Sequence, residues 1–183
     1  MIAIASILNI EAEKTSKDFR ERLEKTCGYA SIQLSQTLHL SWQTAENYDL
    51  NFVNNELSTI TKNTKPLKFT ATGLGIFNLE RQILYIPVPV SKELLYIHDL
   101  LWNKFKQYSI NRNQLYKNGN WIPHISVTFN TISNNQLFCA IRELIKFPIK
   151  FSVSLNSIDV LCKEKDEYGI LNRYYMSDKK TDE

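Results

Sequence analysis

The chain has 183 residues, enough for one compact domain or two small lobes sharing a core. Hydrophobic residues make up 43% and charged residues 22%, which excludes a disordered chain. The net charge of +3 suits a small anionic ligand, whereas a grip on a long duplex calls for a dense basic stripe that this sequence lacks.

In chain order, residues 2–10 are rich in β-branched side chains and predict a buried strand. A helix over 16–27 follows, with Ser16 as N-cap and Gly28 as its stop. Residues 34–42 predict a strand, and 45–63 a helix with Leu50, Val53, Leu57 and Ile60 on one face. Residues 67–77 predict a strand in which Gly73 and Gly75 permit a bulge or a close approach. Residues 83–90 predict a strand, and 91–108 a helix capped by Ser91. An Asn- and Gly-bearing loop covers 111–120. Residues 122–130 predict a strand, 133–147 a helix capped by Ser133, 151–162 a strand, and 170–176 a last strand after a turn at 166–169.

The order strand–helix–strand–helix–strand therefore occurs twice. It predicts one domain over 1–176 whose halves, about 1–80 and 81–176, form two lobes related by an approximate twofold axis, followed by a polar tail at 177–183. Cys27, Cys139 and Cys162 are far apart and odd in number, with no CxxC pair. They read as buried reduced thiols of a cytoplasmic protein, without a disulfide or a zinc site. No apolar stretch is long enough for a membrane span, and residues 2–10 lack the basic flank of a signal peptide. The expectation is a monomer with no metal and no cofactor.

The halves share one local feature. The second strand of each carries a His, an apolar residue and a Ser: His39-Leu40-Ser41 and His124-Ile125-Ser126. Successive strand side chains point to opposite faces, so each motif aims an imidazole and a hydroxyl the same way. Thr37 and Thr128 fall on the same faces and are candidate groove residues. Displacement at phosphorus needs a proton taken from the incoming oxygen and another given to the leaving oxygen. Histidine can do both near neutral pH. Two lobes facing each other would set the two imidazoles on either side of a phosphate, with the serine hydroxyls on its non-bridging oxygens.

These motifs, with Leu38-His39-Leu40-Ser41-Trp42 and Trp121-Ile122-Pro123-His124-Ile125-Ser126-Val127 around them, resemble the two-histidine phosphoesterases, the superfamily of 2′-5′ RNA ligases and 2′,3′-cyclic phosphodiesterases. Thr72-Gly73-Leu74-Gly75-Ile76-Phe77 and the element order extend the resemblance over nearly the whole chain. It implies a bilobal α+β fold, with largely antiparallel sheet and outer helices around a central cleft. It further implies His39 and His124 as the acid–base pair, Ser41 and Ser126 as phosphate ligands, and metal-independent cleavage of 2′,3′-cyclic or 2′-5′ linked RNA-type diesters. RNA ends or small nucleotide phosphodiesters would be the partners. A 2′-5′ oligoadenylate or cyclic-nucleotide signal phosphodiesterase, or a noncatalytic nucleotide-binding module, stands as the alternative.

His98 shares a helix stripe with Leu94, Leu101 and Phe105 and reads as packing. Trp42 alternates away from His39 and reads as core. Trp121 is open between stacking on a base and packing. Tyr168, Arg173 and Tyr174 near the last turn can contact a base or phosphate, but strand packing is the plainer reading.

Overall fold

The computed structural model describes residues 1–30, 37–78, 82–128, 132–164 and 167–177. Residues 34–36, 129 and 130, Asp166 and the tail from 178 onward, all of which carry expectations above, lie outside the described residues.

β1 (Ile2–Ile7) and β2 (His39–Tyr48) pair antiparallel. α1 (Ile10–Cys27) begins six residues earlier than Ser16, because β1 ends at Ile7, Asn9 takes the extended N-cap conformation and Glu11-Ala12-Glu13 are strong helix formers. Its stop is as expected: Gly28 adopts φ 65°, and its amide donates to the Leu23 carbonyl. α2 (Leu50–Lys62) starts later than expected, where the Asp49 carboxylate accepts from the Phe52 amide. Residues 45–48 instead prolong β2 and pair with β6 (Ser109–Arg112), in a region that reads as loop from sequence.

Two expected strands are each divided between two sheets. Gly73 turns at φ 84° between β3 (Leu67–Thr72) and β4 (Gly75–Asn78). A break at Asn156 separates β8 (Lys150–Leu155) from β9 (Ser157–Glu164). β3 and β8 form their own ribbon, while β4 pairs with β5 (Gln82–Pro87) and β9 lies between β1 and β10 (Glu167–Tyr175). With β7 (His124–Ser126), the large sheet runs β10-β9-β1-β2-β7-β5-β4, and β6 joins it beside β2. Every pairing among the described strands is antiparallel. The fold is α+β, and its strands interlace the two halves of the chain, since β4 joins the strands after residue 81 while β9 and β10 join those before it.

α3 (Lys92–Lys104) packs on β2, α2 on β9 and β10, and α1 on α4 (Asn134–Leu144) and β8. Ser91 caps α3 as expected, and Ser133 forms a reciprocal capping box with Gln136 on α4. Beneath the sheet the core holds Leu40, Trp42, Leu84, Leu101, Phe105 and Ile125, all shielded from solvent. No helix among the described residues is long and apolar enough to cross a membrane.

The reduced-thiol expectation is wrong for two of the three cysteines. Cys27 at the end of α1 and Cys139 in α4 form a disulfide, with their Cα atoms 5.6 Å apart, and Cys162 remains free. Partners separated by 112 positions leave no local sequence pattern. With this bond in place the thiols no longer argue for a reducing compartment. A cross-link over so long a loop restricts the unfolded chain strongly. Reducing it, or replacing both cysteines by serine, should cost about 2–4 kcal/mol of stability. Urea denaturation with and without reductant checks this, and coincident curves would count against the bond.

Candidate active site

The two His-x-Ser motifs meet in the middle of the sheet. Leu40 of β2 pairs with Ile125 of β7, and both are completely buried on the core side. Antiparallel register then sets His39 across from Ser126, and Ser41 across from His124. The four polar side chains therefore share the opposite face, arranged as a crossed pair about the Leu40–Ile125 contact. The two histidines stand on a diagonal of this arrangement, roughly 7–8 Å apart at the backbone. Pro123 precedes β7 and ends no ladder; its carbonyl accepts from the Val88 amide.

The histidines are also oriented alike. His39 Nδ1 lies 2.8 Å from the Thr37 carbonyl, and His124 Nδ1 lies 2.7 Å from the Ile122 carbonyl. A carbonyl only accepts, so each Nδ1 carries the hydrogen and the lone pair of each neutral ring lies on Nε2. Burial pushes both imidazoles below the ordinary histidine pKa, and the backbone bonds oppose this in part. A charge on His124 lowers His39 further, while the Asp159 carboxylate raises it. One proton on the pair is thus favoured over two, which is the state an acid–base pair requires.

Aromatic rings fix the imidazoles from outside. Tyr168 meets His39 edge to face with centroids 5.1 Å apart, and Phe77 and Tyr85 meet His124 at 4.8 and 5.5 Å. Tyr85 pairs with Gly75 across the β4–β5 hairpin, and a Cβ on Gly75 would collide with the Tyr85 ring. The close approach expected near Gly75 is therefore made by Tyr85, a residue that the sequence pattern does not single out. Asp159 is a second such residue. It is fully buried and accepts from the Ile7 amide at 2.9 Å and from Arg173 Nε at 2.7 Å.

Of the groove candidates, Thr37 stands beside the site and supplies the carbonyl that holds His39. Thr128 does not line it: its side chain is completely buried, and its hydroxyl accepts from the Leu84 amide at 3.0 Å, because the chain leaves β7 before residue 128 and turns inward. Trp121 is half-buried, donates from Nε1 to the Ser41 carbonyl at 3.1 Å, and stacks on His98 at 3.9 Å. His98 and Trp42 are buried as expected. Among the described residues no group of three or more His, Cys, Asp or Glu side chains could hold a metal ion.

The antiparallel α+β fold and the twinned motifs define a two-histidine phosphoesterase-like protein. The family model of the 2′-5′ RNA ligase superfamily matches residues 10–167, and the chain belongs to that superfamily. No curated protein matches it significantly. Solved structures that resemble it include TT0787 of Thermus thermophilus, with 14% identity, a TM-score of 0.64, and coverage of 96% of this chain and 97% of that one. E. coli LigT complexed with 3′-AMP resembles it at 12% identity and a TM-score of 0.57, covering 96% of both chains. LigT complexed with NADP+ gives 13% and 0.61, again over 96% of each. At these identities the likeness is one of fold.

Proposed function

We propose that this protein is a metal-independent phosphodiesterase for 2′,3′-cyclic phosphate or 2′-5′ linked RNA-type diesters, with His39 and His124 as its acid–base pair. The observation that carries this reading is the crossed pair of His-x-Ser motifs on one face, with both Nδ1 atoms tied to carbonyls two residues upstream. A noncatalytic binder needs no matched acid and base. The nucleotides bound by the LigT structures favour a nucleotide-type ligand here as well.

In the proposed reaction the neutral imidazole takes a proton from water through Nε2 as the water oxygen attacks phosphorus. The charged imidazole gives its Nε2 proton to the departing ribose oxygen. A diester and water become a monoester and a free hydroxyl, and the pair ends with its single proton on the other ring. Ser41 and Ser126 donate to the non-bridging oxygens, where negative charge gathers during attack. The test is turnover of 2′,3′-cyclic AMP and of a 2′-5′ linked dinucleotide by purified protein in EDTA, with the product phosphate position read by 31P NMR. Failure to turn over either, or activity that returns only with a divalent ion, would sink the proposal.

The pH dependence should be a bell, because one histidine must be neutral and the other charged. Both pKa values are lowered in the free protein, so the maximum of kcat/KM should lie on the acid side of the ordinary value of about 6.5. Bound phosphodiester carries negative charge and raises both, so the kcat profile should sit at higher pH than the kcat/KM profile. A rate that climbs steadily beyond about pH 10 would indicate hydroxide attack without a protonated histidine.

A further inference from the structure

We infer that Tyr116 is a positioning residue for the proposed reaction, its hydroxyl aiming the Ser41 hydroxyl at the phosphate; this rests on the phosphodiesterase reading above. Among the described residues, β7 pairs with β2 only at Leu40, and β6 pairs with it only from Ala45 onward. Residues 41–44 therefore lie along a gap between β7 and β6. The loop 113–121 fills that gap and satisfies its carbonyls. The Asn113 amide donates to the Thr44 carbonyl at 3.0 Å, and Trp121 Nε1 donates to the Ser41 carbonyl at 3.1 Å. Between these two ties a single 3-10 turn over Gln114–Tyr116 brings the Tyr116 hydroxyl to the Ser41 hydroxyl, and the two share a hydrogen bond.

The loop is itself held from α3. His98 is buried, donates from Nε2 to the Tyr116 carbonyl at 3.0 Å, and lies flat on Trp121 with centroids 3.9 Å apart and planes 2° from parallel. One imidazole outside the reacting pair thus fixes both residues that grip Ser41, Trp121 at its carbonyl and Tyr116 at its hydroxyl. A side chain can aim another only when its own position is locked, and these contacts lock Tyr116.

The count of hydrogens gives the direction of the bond. A serine hydroxyl has one hydrogen and two lone pairs. Once that hydrogen points at a phosphate oxygen, Ser41 meets Tyr116 only as an acceptor, so the phenol donates. Serine lacks the methyl group that stiffens χ1 in threonine, and the bond from Tyr116 selects one of its staggered rotamers. Accepting from the phenol also polarises the Ser41 O–H toward the phosphate. Burial pushes the Tyr116 phenol above its ordinary pKa, with the Ser41 bond opposing this in part. The phenol therefore keeps its proton, and stays a donor, at the pH where the two histidines work.

The test is Tyr116→Phe, which removes one oxygen and keeps the ring and its packing. The substrate is 2′,3′-cyclic AMP or the 2′-5′ linked dinucleotide, whichever wild type turns over. In the variant kcat should fall roughly two- to tenfold with KM little changed, the effect of one hydrogen bond exerted where charge gathers during attack. The two phosphorothioate diastereomers of that substrate give a readout that loosened packing would not. Sulfur is a weak acceptor, so the isomer with sulfur toward Ser41 should lose little in the variant, while the isomer with oxygen toward Ser41 should slow as the parent substrate does. Ser41→Ala should be at least as slow as Tyr116→Phe, and the double variant no slower than Ser41→Ala. An unchanged kcat, equal slowing of both isomers, or losses that multiply in the double variant would overturn the role of Tyr116 and leave the phosphodiesterase reading standing. Turnover of neither substrate by wild type would overturn that reading and this inference with it.

Discussion

Replacing His124 by alanine should lower turnover of a cognate phosphodiester by about 10²–10⁴-fold, the usual contribution of one positioned proton transfer. The fold should survive. His124 is half-buried at the start of a three-residue strand, and its imidazole bonds the Ile122 carbonyl, in a residue that is itself 51% exposed and open to water. His39→Ala should lose activity to a similar degree but more stability, because His39 is only 8% exposed and packs against Tyr168. A second readout separates catalysis from structure. Since charge on His124 lowers His39, the His124→Ala variant should titrate His39 at a higher pH than wild type does. NMR of the imidazole resonances reads this directly. An active His124→Ala enzyme would break the two-histidine mechanism, and a His39 that titrates unchanged would show that the two imidazoles do not feel each other's charge.

The two motifs were legible because they rest on a period of two, which needs no partner strand to be known. Alternation alone sets His39 with Ser41, and His124 with Ser126, on common faces. The caps at Ser91 and Ser133 and the Gly28 stop were legible for the same reason, each being a local hydrogen-bond or dihedral requirement, whereas Ser16 fell inside α1. What sequence could not show was long-range pairing. Residues 45–48 carry no strand signal strong enough to outweigh the helix that follows, and only the pairing with β6 extends them. The disulfide joins residues 112 positions apart, and the Tyr85–Gly75 and Asp159–Arg173 contacts are cross-strand pairs set by the β4–β5 and β9–β10 registers, which the sequence does not state. Thr128 shows the limit of alternation: the pattern assumes that the strand continues, and β7 ends at Ser126.

Asp159→Ala should be among the most destabilising single changes in the protein, at about 3 kcal/mol, the low end for removing one partner of a buried ion pair. The carboxylate is fully buried and takes hydrogen bonds from the Ile7 amide, the Ser157 hydroxyl and Arg173 Nε. Its loss orphans the amide and takes from the guanidinium its carboxylate partner, although Arg173 also meets the Tyr175 side chain and, being one-third exposed, can regain some hydration. The low end of the range follows from that exposure. Asp159→Asn keeps the volume and still removes the charge, so it gives a folded variant in which the second effect can be read. Ile7 pairs across from His39 in the β1–β2 ladder, and the Asp159 charge raises the His39 pKa. Without that charge His39 holds its proton less well in the folded state. The pH–rate limb that belongs to His39 should move to lower pH. Stability should respond in the same sense: a folded pKa below the unfolded value means the unfolded chain binds more protons, so Asp159→Asn should lose stability more steeply than wild type as pH falls through about 6.5. Urea midpoints measured from pH 8 down to 5, alongside the pH–rate profile, check both. A variant with an unchanged midpoint and an unmoved limb would show that Asp159 supports neither the strand nor the histidine.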